Sequence, residues 1–366
     1  MKNYLLLLML TTSLGFAQIP TGYYNTATGN GYTLKTNLTS IIATNTNSLD
    51  VANYGDLWTL FTTTAFRDNY YENNGTLLDI YSENPSGADS YEYSSTFDQC
   101  GNYSGEGSCY NREHIMPQSV FGSNNYPMYS DAHFVLPSDG SVNGQRGNFP
   151  FGVVSSASWT STNGSKKGGN INSGYAAGYS GTVFEPIDEF KGDVARALLY
   201  FATRYENEVT NWTYDMLNNT TNQVYTNTFL NILITWHTQD PVSAYEIAKN
   251  NAVYTFQNNR NPYIDHPEYV CQIWSTQCSV LSNQDFVSLD DILIYPNPSN
   301  DNTILIDTKV ELTAILLINT KGQVVQKINK PLLNHNTYRL ENIPTGFYFL
   351  KLNSANQFIT KKIIIH

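Results

Sequence analysis

The stretch CYNREHIMPQSVFG, residues 109–122, poses the question on which the fold turns. It holds one Glu-His pair, Glu113-His114, between Arg112 and a loop that contains Pro117. A histidine beside a carboxylate can serve catalysis, hold a metal or do neither. The chain then continues through DAHFVLPSDGSVNGQRGNFPFG, residues 131–152. There HFVLP, His133 to Pro137, has strand character, and a Ser-led segment follows it. Strand, loop, strand and helix in that order would bring Asn143 against Glu113.

Those residue types suit the hydrolysis of a phosphodiester. The reaction needs a base to activate water and a cation to neutralise charge building on the phosphate and leaving oxygen. A neutral histidine is a base near pH 7. A hard cation such as Mg²⁺ takes oxygen ligands and keeps several waters, so one carboxylate and one amide oxygen are enough from the protein. Adjacent residues on a regular strand point to opposite faces, however. Glu113 and His114 can line one pocket only if the strand ends or twists there, and Pro117 makes an ending reasonable.

Farther out, residues 1–17, MKNYLLLLMLTTSLGFA, read as a signal peptide, too short to anchor the chain in a bilayer. No later stretch has about 18 consecutive apolar residues, so a soluble mature protein without a membrane span is expected. The 366-residue chain is 41% hydrophobic and 13% aromatic, a globular composition. Residues 18–282 read as one mixed α+β unit. Helical periodicity is visible in DEFKGDVARALLYFATRYEN, in NTFLNILITWH, and in a segment beginning at Asp240-Pro241, with Asp240 as the cap. TLLDIYS, ending at Ser82, reads as a strand, and SSASWTSTNGSKKGGNINSG as a loop. The four cysteines fall as two close pairs, Cys100 with Cys109 and Cys271 with Cys278. In an exported chain these are expected to be disulfides, since a zinc site favours tighter Cys-x-x-Cys spacing.

NREHIMPQS, DAHFVLPSDGSVNGQRGNFPFG, KGDVARALLYFATRYEN and NNRNPYIDHPEYVCQIW, taken in order, resemble the bacterial endonuclease I family, secreted or periplasmic nucleases. The resemblance runs from about Tyr23 to Trp274. It implies a ββα-metal (His-Me finger) nuclease domain with helices. In such a site His114 is the general base, Glu113 and Asn143 hold Mg²⁺ (Mn²⁺ and Ca²⁺ being alternatives), and the substrates are DNA and often RNA, cut to 5′-phosphate products. Asn148 is a rival to Asn143. Some members carry an arginine in the loop between the two strands that contacts the cleaved phosphate. Residues 115–130 hold no Lys or Arg, so Arg146 or the Lys166-Lys167 pair is expected to take that part, with Arg112 as a further substrate contact. His133 reads as structural, partnered by Asp131. Arg196 reads as a helix anchor, and Asn261-Pro262 as a turn or a residue pair near the site.

Charge runs against nucleic-acid binding. Residues 18–289 hold 11 Lys and Arg against 25 Asp and Glu, a net of −14, so only a local groove could be basic. Arg112, Arg146, Lys166, Lys167, Lys191 and Arg260 are the candidates for it. An enzyme of modest affinity is expected, monomeric, with another metal-dependent phosphoesterase or an inactive surface adhesin as alternatives.

Residues 283–289 read as a linker, and 290–366 as a small all-β sandwich of short strands between Asn, Gly and Pro turns. YPNPSNDNTILI, GFYFLKL and the ending KKIII resemble the C-terminal sorting domain of type IX secretion substrates. That likeness implies an address read by outer-membrane machinery and a secreted or cell-surface protein. A carbohydrate-binding module is the alternative.

Overall fold

The structure is a computed structural model that describes residues 19–46, 53–283, 292–308, 312–332, 337–354 and 358–366. The expected signal peptide, 1–17, and residues 284–289 of the expected linker lie outside the described residues. The chain divides into two compact units, one ending at Leu281 and one beginning at Ser282.

The first unit is built in the order α1 (Tyr32–Asn45), α2 (Leu57–Phe61), β1 (Tyr110–His114), α3 (Gln118–Phe121), β2 (Val135–Asp139), α4 (Gly140–Arg146), β3 (Val154–Thr160), β4 (Lys166–Asn170), β5 (Thr182–Glu185), α5 (Lys191–Arg204), α6 (Asn227–Gln239), α7 (Ala244–Gln257), α8 (Pro262–Asp265), α9 (Tyr269–Ile273) and α10 (Ser275–Asn283). Its centre is α5, whose residues from Gly192 onward are all buried. A helix so enclosed has no solvated face for its charges, so each must be paired inside. Arg196 meets Glu246 of α7 through two contacts of 2.6 and 2.7 Å, and Arg204 meets Asp131. Arg196 is thus the anchor its sequence suggested.

Three local readings need correction. TLLDIYS is not a strand. The Asp79 carboxylate accepts from the Tyr81 amide and the Asp79 carbonyl from Ser82, which curls the segment into a turn while Leu77, Leu78, Ile80 and Tyr81 stay buried. The polar run after Ser155 is not a loop but the antiparallel hairpin β3–β4, reversed near Gly164 at φ +102°. The third helix is capped by Ser243, which forms a capping box with Glu246, while the Asp240 carboxylate accepts from the Gly192 amide.

The second unit has β6 (Leu293–Tyr295), β7 (Ile304–Asp307), β8 (Ala314–Asn319), β9 (Val324–Asn329), β10 (Thr337–Leu340), β11 (Gly346–Asn353) and β12 (Phe358–Ile365). They form two antiparallel sheets, ordered β10-β7-β6 and β12-β11-β8-β9. Alternate residues such as Ile304, Ile306, Leu350, Leu352 and Ile363 fill one core, as a sandwich requires.

Candidate active site

β1 and β2 pair antiparallel in the register Tyr110↔Asp139 to His114↔Val135, and α4 follows β2 without a break. The change from strand to helix is made at Asp139. Its Oδ1 caps α4 by accepting from the Val142 amide, and its Oδ2 accepts from the Tyr93 hydroxyl and the Gly107 amide. Its own amide donates to Asp79 Oδ2 at 2.7 Å, so the turn at residues 79–82 holds the start of the helix. The expected strand, strand, helix unit is therefore present.

Alternation along β1 sorts its side chains. Asn111 and Glu113 share one face. Asn143 Nδ2 donates to Asn111 Oδ1 at 2.7 Å, and Glu113 Oε1 lies 3.1 Å from the Tyr81 hydroxyl and 3.3 Å from Arg146 Nη1. Asn143 therefore packs on the strand face that carries Glu113, but its hydrogen bond is to Asn111. Asn148, beyond the end of α4, is exposed. Arg112 and His114 share the other face, both against Tyr54: the guanidinium sits 3.5 Å from the ring centroid, and the imidazole stacks at 5.6 Å. β1 ends at His114, where the sequence required a change of direction.

His114 is 7% exposed, and its Nε2 lies 3.0 Å from the Tyr129 carbonyl. A carbonyl can only accept, so Nε2 carries the proton and Nδ1 keeps the lone pair. Burial pulls the imidazole down to about 4, reinforced by Arg146 and Arg112 and opposed by the Tyr129 carbonyl, so it is neutral at pH 7. Burial pushes the Glu113 carboxyl up to about 7, against the pull of Arg146 and of the Tyr81 hydroxyl.

Arg146 does not take the position of a phosphate clamp. It is 1% exposed, and its guanidinium donates to the His114 carbonyl at 2.8 Å and the Ile115 carbonyl at 2.5 Å besides meeting Glu113. It fastens the end of β1 from inside. Lys191 and Arg260 are also withdrawn from any groove, paired with Glu185 and Asp188 and with Asp265. Of the 11 Lys and Arg in residues 18–289, seven are in such ion pairs, leaving Arg67, Arg112, Lys166 and Lys167 without a carboxylate partner among the described residues. Lys166 is exposed, and Lys167 Nζ donates to Gln145 Oε1 of α4 at 2.6 Å.

Both cysteine pairs are bridged, with Cα separations of 5.8 and 5.6 Å. The loop of the first bridge lies on α4, where a Cβ at Gly144 would fall 2.0 Å from the Tyr103 hydroxyl. His133 is structural, but its ring meets the Asn259 carbonyl and side chain; Asp131 receives only its backbone amide. Asn261 caps α8, with Pro262 at the first helical position. Sequence reasoning missed Asn111, Tyr54, Tyr81 and Tyr129. Asn111 was legible from its i−2 relation to Glu113, whereas the tyrosines are brought in from distant segments.

Residues 30–268 match the Endonuclease I family. This chain belongs to the endonuclease I family. Residues 293–366 match the secretion system C-terminal sorting domain, so the protein is one that is secreted or displayed at the cell surface. No helix among the described residues is long and apolar enough to cross a membrane. Among curated proteins, the chain is similar to "Extracellular ribonuclease" of Bacillus subtilis, 36% identical over 169 residues, and of Bacillus amyloliquefaciens, 38% identical over 170 residues. Each alignment covers 45% of this chain and 54% of the relative, so the chain spans about half the length of the curated relatives it matches. A solved structure of PorZ, a bacterial surface component of the type-IX secretion system of Porphyromonas gingivalis, is 13% identical with a TM-score of 0.18, over 21% of this chain and 12% of that one. A likeness that slight bears on neither fold nor function.

Proposed function

We propose that the protein is an exported, divalent-metal-dependent, sequence-non-specific endonuclease acting on DNA and RNA. The observation that carries this reading is the Nε2 contact from His114 to the Tyr129 carbonyl at the end of β1. It leaves Nδ1 of a neutral imidazole as the base that takes a proton from water. On the opposite strand face the groups able to ligate a metal, those of Glu113, Asn111 and Asn143, are oxygens, which suits Mg²⁺ better than zinc. Glu113 and the Oδ1 of Asn143, whose Nδ2 is committed to Asn111, would hold the ion. When bound, the cation offsets charge on the phosphate and leaving oxygen.

Because Arg146 is buried, we assign the substrate contacts to Arg112, Lys166 and Lys167. These three are cations without a carboxylate partner among the described residues, and the two elements that carry them are β1 and β4, the latter tied to α4. So few contacts give modest affinity with a shallow salt dependence. The tail is the export address, read by type IX machinery and separable from catalysis.

The test is cleavage of supercoiled plasmid and of RNA by the mature chain, with Mg²⁺ and with chelator. His114→Ala should lower turnover by roughly 10²-fold to 10⁴-fold with DNA affinity nearly unchanged. Near-normal cleavage by that variant, or full activity in chelator, overturns the reading.

A further inference from the structure

Away from the active site, Asp68, Glu72 and Glu83 each turn a carboxylate oxygen inward, and the three oxygens lie within 4.8 Å of one another. Asp68 and Glu83 are each 1% exposed. Four oxygens of the cluster are buried with no hydrogen-bond donor among the described residues: Asp68 Oδ2, both oxygens of Glu72, and Glu83 Oε1. No Lys or Arg pairs with any of the three there, and the neighbouring Arg67 donates to the carbonyls of Gly75 and Thr62. Buried carboxylates without donors are costly, and a like-charged trio is more so.

We propose that Asp68, Glu72 and Glu83 form a second divalent-cation site, for Ca²⁺, distinct from the one at Glu113. An all-carboxylate set excludes metals that favour nitrogen or sulfur ligands. Three carboxylates on one loop segment suit the larger, geometrically tolerant Ca²⁺, whereas Mg²⁺ keeps its waters and takes one or two. Asp68 is already aimed, because its Oδ1 accepts from the Tyr70 and Tyr71 amides and its Oδ2 is left for the cluster.

The site's role is structural. Between its members lie Asp79, which accepts from the Asp139 amide at the head of α4, and Tyr81, whose hydroxyl meets Glu113. Ca²⁺ at Asp68 and Glu83 would tie down both ends of the segment that positions those contacts. The alternative is a pair of carboxyls sharing a proton, which needs no cation.

The test uses the full mature chain stripped with chelator, with Ca²⁺ titrated while thermal unfolding is followed, and Tb³⁺ luminescence as a second probe. Ca²⁺ should raise the Tm of wild type and of Glu113→Gln alike, because the active-site ligand is not involved. Glu83→Gln and Glu72→Gln should lose that rise and bind Tb³⁺ at least tenfold more weakly. In chelator both should unfold at or above the wild-type Tm, since each takes one carboxyl out of a crowded cluster that holds no cation. The less deeply buried Glu72 position keeps the test open if the Glu83 variant misfolds. An equal Ca²⁺-induced rise in wild type and both cluster variants, or no rise in Glu113→Gln, overturns the proposal.

Discussion

Arg146 donates to the carbonyls of His114 and Ile115 and meets the Glu113 carboxylate, all from a fully buried position. Carbonyls at the end of a strand need donors, and here one side chain supplies them while neutralising the adjacent acid. Arg146→Ala should therefore destabilise the domain by about 3–5 kcal/mol, the usual cost of breaking a buried pair, measured by denaturant unfolding. Arg146→Lys, a point charge without the planar fork, should recover only part of that and release the end of β1 enough to lower activity. Unchanged stability in Arg146→Ala would return the residue to the substrate. From the sequence, only its charge and its place between two family blocks were visible, so clamp and buried brace looked the same.

At the scale of elements, the entry to β2 is held by Asp131, whose carboxylate gathers Arg204 and Tyr205 of the α5 end, Tyr200, and Gln257 of α7. His133 sits beside this hub, and burial holds its imidazole down to about 4, against the pull of Asp131 and the Asn259 carbonyl. The unfolded chain takes up that proton near pH 6.5, so its share of stability is present above 6.5 and is lost as pH falls toward 4. The share is about 3 kcal/mol for a shift of this size. Wild type should thus weaken over that window, and the stability gap between it and His133→Gln should narrow as pH falls, which denaturant unfolding at stepped pH will read. A constant gap would show that His133 titrates alike in both states. The same scale explains the hairpin β3–β4. Its exposed residues, Ser155, Ser156, Ala157, Ser158, Thr160, Lys166 and Gly169, are small or polar, so no apolar alternation marks the strands, and the pairing is set by β5 and the neighbouring helix α4.

For the whole molecule, charge and pattern change together across the boundary. The part before it carries a net of −14, and residues 290–366 hold 8 Lys and Arg against 6 acidic residues. Each unit has its own apolar core. A chain ending at Asn283, which keeps α10 whole, should retain full plasmid cleavage in vitro yet stay inside its native host. Immunoblots of cell and medium fractions beside the cleavage assay will check this. Normal export with weaker binding to polymer-associated substrate would favour a carbohydrate-binding role for the tail, and lost catalysis would place part of the active unit beyond the cut.

Periodicity, ordered family blocks and cysteine spacing by themselves determined the α+β unit with its ββα core, three of its four long helices (α5, α6 and α7, but not α1), the β-sandwich tail and the two bridges. These depend on neighbours close in sequence, and a short-range pattern records them. Only the tertiary structure decided which cations lack a carboxylate partner among the described residues, that Asn143 bonds Asn111 on the Glu113 face, and that Tyr54, Tyr81 and Tyr129 enclose the Glu-His pair. It also decided that Asp68, Glu72 and Glu83 converge. Pairing and burial are set by which surfaces the core brings together, and no local signal along the chain encodes the distance between a charge and its partner.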